Sequence, residues 1–124
     1  MRLTFVETAV FSARWHRRQD GEALRALQNL LLESPERGDP IPGCGILRKV
    51  RFGDVSRSQG KRGGLRVIYL YTPEARQIDL ITVYGKDEAD DLSKSDTRLF
   101  CQLAKMIRAA AAAQAPKPSR EPKP

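Results

Sequence analysis

The sequence predicts an α+β fold: a twisted antiparallel sheet packed against an N-terminal helical hairpin and a C-terminal helix. Three observations predict it. Apolar stripes at helical spacing occupy the chain before residue 34, three strand-like runs separated by turn residues fill 46–84, and another helical stripe follows residue 95. Strands grouped in the middle with helices at the ends indicate segregated layers, not alternating βα units. With 124 residues, 40% of them hydrophobic, the chain holds one domain able to bury a core without staples.

Leu3 to Val6 reads as a short strand with Leu3 and Phe5 on one face. Thr8 suits the N-cap of a helix from Ala9 to about Arg18, with Phe11 and Trp15 at i, i+4. His16, Arg17 and Arg18 turn to its solvent side. Asp20-Gly21 breaks this helix and caps a second, Glu22 to about Glu33, carrying Leu24, Leu27 and Leu31 and stopped by Pro35. Two helices joined by a tight turn form a hairpin that can cover one sheet face. The segment SPERGDPIPGCG, residues 34–45, has three prolines and three glycines in twelve residues and reads as a loop.

Ile46 to Phe52 is the first central strand; alternation puts Lys49 and Arg51 on one face, Val50 and Phe52 on the other. Gly53 to Gly64 is a long polar connection, expected to stay mobile until a ligand orders it. Leu65 to Tyr71 is apolar on both faces, as a strand in mid-sheet should be. Thr72 to Arg76 turns the chain, and Gln77 to Tyr84 returns antiparallel. A short helical piece is expected at Asp90–Leu92. Ser95 then caps a last helix with Leu99, Leu103, Met106 and Ile107 on one face, extended by the Ala109–Ala113 run. The domain is expected to span 1–113, and QAPKPSREPKP, residues 114–124, to be a disordered basic, proline-rich tail.

Several function classes are excluded. No apolar run approaches the roughly 20 residues that cross a bilayer, and the N-terminus has no secretory pattern, so the expectation is a cytoplasmic protein with no membrane role. Cys44 and Cys101 fall in no metal or redox motif and read as two separate reduced thiols. One histidine, His16, cannot make a His-rich metal site, and no cofactor motif is present; Gly43-Cys44-Gly45 lacks the spacing and Lys-Ser/Thr of a phosphate loop.

Charge is the positive clue. Between Leu47 and Arg66 seven basic residues (Arg48, Lys49, Arg51, Arg57, Lys61, Arg62, Arg66) stand against Asp54 alone, leaving +6 of the chain's +7. A cationic patch concentrated on a small sheet points to a polyanion, nucleic acid foremost.

The run GDPIPGCGILRKVR, then GKRGGLRVIYLY, then LITVYGKDEADDLS resembles the HigB-type toxins of the RelE/ParE superfamily, over roughly residues 1–108. The resemblance implies a RelE-like fold and the toxin half of a type II toxin–antitoxin module. It further implies ribosome-dependent, metal-independent cleavage of messenger RNA, and neutralisation by a HigA-type helix-turn-helix antitoxin through which alone DNA is contacted. Family catalytic positions fall on Lys49, Arg51, Arg66 and Lys86. The chain departs from the pattern twice. Asp87 stands where some relatives have an arginine, and no tyrosine follows in the last helical segment.

Cleavage without a metal needs a group to take the 2′-hydroxyl proton, donors for the phosphorane and an acid for the leaving 5′-oxygen. Arg66 and Arg51 suit the phosphate, because a guanidinium offers a bidentate fork and stays charged. Lys49 or Lys86 is the proton handler, and Asp87 or Glu88 a second candidate base. Arg48, Arg57, Lys61, Arg62 and Tyr84 are candidate RNA or ribosome contacts. Tyr69 and Tyr71 suit either base stacking or the core. Two other readings stay open: a ParE-like toxin that inhibits DNA gyrase, and a non-toxic nucleic-acid-binding module.

Overall fold

The computed structural model describes residues 2–17, 19, 21–53, 64–86, 88–89 and 91–114. The chain runs β1 (Thr4–Glu7), α1 (Ala9–His16), α2 (Gly21–Glu33), β2 (Asp39–Ile41), β3 (Cys44–Phe52), β4 (Leu65–Thr72), a 3-10 turn (Pro73–Ala75), β5 (Gln77–Gly85) and α3 (Lys94–Gln114). The strands form one sheet in the order β1-β5-β4-β3-β2. This is the expected α+β architecture, with one correction: β1 pairs parallel with β5, so the sheet is mixed. Strands β2 to β5 alternate direction through consecutive antiparallel pairings, and β1 joins the far edge only after α1 and α2 have separated it from β2.

The hairpin covers one face. Phe11 and Trp15 of α1 and Leu27 and Leu31 of α2 are fully buried against Val67, Tyr69, Leu80 and their neighbours. Phe11 stacks on Trp15, centroids 5.4 Å apart, and Trp15 reaches Phe52 of β3 at 5.8 Å. Thr8 caps α1 as expected: its Oγ1 accepts from the Phe11 amide at 3.0 Å. The same hydroxyl donates to the Ile81 carbonyl at 2.7 Å, tying the helix start to β5.

The other face lies under α3, where the expected stripe is right at Ile107 and misplaced at Leu99 and Met106. Leu99 and Met106 are exposed, at 61% and 69%, while Phe100, Cys101, Ala104 and Ile107 pack on Leu47, Ile68 and Ile81. The buried face includes Ala104, which a stripe drawn through large apolar side chains passes over in favour of Leu103. Ser93, not Ser95, caps α3: its Oγ accepts from Asp96 N at 3.0 Å. No helix forms at Asp91–Leu92. The segment expected to be pure loop contains β2, a three-residue edge strand on which Pro40 is tolerated because an edge leaves some amides unpaired.

Tyr69 settles between its two readings as a core anchor. Fully buried, its hydroxyl donates to Pro35 O at 2.7 Å and accepts from Gly38 N at 3.0 Å. Burial pushes its pKa above the usual value, outweighing the Gly38 hydrogen bond. Gly38 has no room for a side chain, since a Cβ would lie 2.9 Å from the Lys49 carbonyl oxygen.

The two cysteines are not separate thiols. Cys44, at the start of β3, is disulfide-bonded to Cys101 of α3, with Cα atoms 5.8 Å apart. A sequence separation of 57 hides the pair from any spacing rule; only the placement of α3 across β3 brings them together. Cross-linking residues this far apart restricts the unfolded chain, so Cys101→Ser is expected to lower stability by about 2–4 kcal/mol. Urea unfolding with and without a thiol reductant checks this, because the reductant should erase the difference between wild type and variant.

Asp79 is 2% exposed on the α3 side of β5, with Gln77 Nε2 donating to it at 2.8 Å. Burial raises its pKa, and the Gln77 bond offsets only part of that. The folded state therefore holds this proton to higher pH than the unfolded chain, and stability falls as pH rises from about 4 through the folded value. Asp79→Asn is expected to raise the urea midpoint at pH 7 and to change it little below the unfolded pKa.

Candidate functional site

Cross-strand register builds the site. Arg51 of β3 lies opposite Arg66 of β4, and Arg66 lies opposite Tyr84 of β5. One row inward, Lys49 lies opposite Ile68, which lies opposite Thr82. Directly paired residues project from the same face. Ile68 and Tyr84 belong to the cluster beneath α3, so Lys49, Arg51 and Arg66 share that side.

Tyr84 reaches this face through a bulge. Ile68 pairs with Thr82 but Tyr69 pairs with Leu80, leaving Ile81 as the extra residue. Simple alternation from Ile78 and Leu80, both on the hairpin side, would send Tyr84 to the hairpin side too. The inserted residue shifts the phase, giving Val83 to the hairpin core and Tyr84 to the α3 side. The Ile81 carbonyl, outside the regular pairing, accepts the Thr8 hydroxyl.

The arginine pair has unusual electrostatics. Like charges directly opposite one another destabilise a sheet. Arg66 is only 5% exposed, and its Nη1 donates to the Gly64 carbonyl at 3.3 Å. Among the described residues no carboxylate pairs with Arg51 or Arg66. Lys49 differs: its ammonium makes an ion pair with Asp91, from the segment leading into α3.

Beside the pair opens a cavity of about 510 Å³. Lys49, Ile68 and Tyr84 form its sheet side, the β2–β3 turn at Pro42 and Gly43 one wall, and Leu92, Lys94 and Arg98 another. Arg51 and Arg66 lie just beyond it, in the neighbouring row.

The remaining candidates are distributed differently. Lys86 follows the end of β5, exposed, with its amide donating to Gly64 O at 3.3 Å, which places it at the Arg66 corner. Glu88 turns back so that its Oε1 accepts from Gly85 N at 2.8 Å. Arg48 serves the fold: its Nη1 donates to Glu36 O at 3.1 Å and Gly38 O at 2.7 Å, holding the connection before β2. Arg57, Lys61, Arg62 and Asp87 lie outside the described residues. Asp91, Lys94 and Arg98 were not singled out by the sequence; Asp91 lies within the DDLS run, and Lys94 and Arg98 in the charged helix start that follows it.

No protein-family model matches the chain. Among solved structures it is similar to the isolated RelE toxin of E. coli, with 18% identity, a TM-score of 0.50, and coverage of 82% of this chain and 99% of that one. The chain therefore has a RelE-like fold. No helix among the described residues is long and apolar enough to cross a membrane.

Proposed function

We propose that this chain is the toxin half of a toxin–antitoxin pair, of the HigB type, and that it cleaves messenger RNA in a ribosome-dependent reaction that inhibits translation. The observation that carries this reading is the facing pair Arg51–Arg66, two guanidiniums with no described acidic partner, one row from Lys49. Such a pair has a reason to exist if a phosphate sits between its members, since an anion turns mutual repulsion into shared attraction. The fold shared with a toxin that carries the RelE name, and the motifs LRKVRF, GKRGGLRVIY and YGKDE, support the same reading.

In this reaction Arg51 and Arg66 hold the scissile phosphate and stabilise the charge gathered in the phosphorane. Lys49 stands one row away, where it can hand a proton to the departing 5′-oxygen or take one from the attacking 2′-hydroxyl. Lys86, at the Arg66 corner, is the other lysine within the same neighbourhood. Attack of the 2′-oxygen on phosphorus expels the 5′-oxygen and leaves a 2′,3′-cyclic phosphate upstream and a 5′-hydroxyl downstream. No histidine takes part, and orientation of the message by the ribosome supplies part of the barrier lowering. The setting is the cytoplasm, and the inhibitor a HigA-type antitoxin that covers the cationic side by charge complementarity.

The test is induction of the full chain without its partner, followed by primer extension on translated messages. Cuts confined to reading frames are expected. Intact messages together with loss of gyrase supercoiling by purified protein would replace this reading with the ParE-like one, and unimpaired growth would leave only nucleic-acid binding.

A further inference from the structure

We infer that the cavity between the β2–β3 turn, the sheet and the start of α3 is a seat for one unpaired nucleotide of the RNA strand, with Lys94 and Arg98 as its phosphate-side contacts. The inference rests on the endonuclease reading for its substrate class, and adds to it Lys94 and Arg98 and a subsite that shares only Lys49 with the cleavage centre. Two features of the cavity carry it.

The first is shape and lining. At about 510 Å³ the cavity lies in the range of small-ligand clefts and is too large for an ion alone. Ile68 and Tyr84 on the sheet side, Pro42 on one wall and Leu92 on the other give a nucleobase apolar surface. Unstacked bases of single-stranded RNA are held in this way, between apolar or aromatic side chains and guanidinium planes.

The second is charge. Lys94 and Arg98 are four residues apart on α3, on one helix face, and both are exposed where they line the cavity. With Lys49 they make three cations around one opening, against one carboxylate among the described residues that line it, that of Asp91. That carboxylate is itself 72% exposed and already rests on Lys49. Asp91 thus takes, in the free protein, the place an incoming phosphate oxygen would take. A nucleotide entering the cavity displaces Asp91 from Lys49, and the register of rows places the next link of the strand toward Arg51 and Arg66.

The experiment is an NMR titration of the isotopically labelled full chain with adenosine 3′-monophosphate, and in parallel with inorganic phosphate. The expected result is saturable shifts of the amides of Ile68, Leu92 and Thr97, all three lining the cavity, with phosphate alone binding more weakly. The Lys94→Ala/Arg98→Ala double variant should lose about tenfold in affinity, and Asp91→Asn should bind more tightly than wild type. Equal shifts from inorganic phosphate, silence at these amides, or a double variant that binds like wild type would each overturn the inference. The two readings fail separately. Messages cut by a protein whose cavity ignores nucleotides remove this seat alone, whereas a cavity that binds them in a protein that leaves messages intact removes the endonuclease reading alone.

Discussion

Arg66→Met is expected to cut the rate of message cleavage by about 10²–10³-fold, the usual cost of removing a prearranged donor at a developing charge. It should do so without destabilising the fold. Arg66 is 5% exposed, directly opposite Arg51, and among the described residues its guanidinium donates only to Gly64 O. Methionine keeps much of the apolar stem while removing a buried charge and a like-charge contact, both of which cost stability. An unchanged or higher urea midpoint beside lost activity marks a residue retained for chemistry, because a purely structural arginine would show the opposite. Arg66→Lys should recover little, since an ammonium keeps the charge but not the planar fork. Single-turnover cleavage on programmed ribosomes and equilibrium unfolding, made on the same preparations, decide the matter.

Lys49→Ala is expected to lose about 10²–10⁴-fold, the range for removing a proton-transfer group. Lys49 lies in the row next to the arginines and lines the cavity, so its loss leaves the phosphate held but the proton unhandled. Lys49→Arg separates the two ways in which a cation can help. A guanidinium can bind phosphate but cannot give up its proton in the working pH range. If Lys49 moves protons, the arginine variant stays as inactive as the alanine one; near-wild-type cleavage by it would reduce Lys49 to an electrostatic contact. Asp91, its ion-pair partner, is exposed, so Asp91→Asn should change stability little.

Much of the fold was legible because its signals are local. Thr8 as a cap, Pro35 as a stop and the alternation of β3 each depend on neighbours within a few positions. What escaped depends on residues distant in the chain. The disulfide joins positions 57 apart. The packing face of α3 is set by how the helix lies on β3 and β4, which buries Ala104 and leaves Leu99 and Met106 exposed. The edge strand β2 hides in a segment whose prolines and glycines announce only turns.

The candidate site divides along the same line. A strand's alternation put Lys49 and Arg51 on one side, and a charge count drew attention to Arg66, which lies opposite Arg51 on the next strand. Tyr84 could not be oriented, because the Ile81 bulge reverses its direction and one strand's sequence does not announce a bulge. Arg48 looked equivalent to Lys49 and Arg51 by charge, yet alternation puts it on the opposite face, where two carbonyls occupy it. The contribution of α3 came from tertiary placement alone.

The most direct measurement maps the ends left on a message held by purified ribosomes with a defined codon exposed, after adding this protein. A single cut at that codon is expected, with a 2′,3′-cyclic phosphate on the upstream fragment and a 5′-hydroxyl on the downstream one, all absent with Arg66→Met. An uncut message, or a cut that persists undiminished in the Arg66→Met protein, would contradict that expectation.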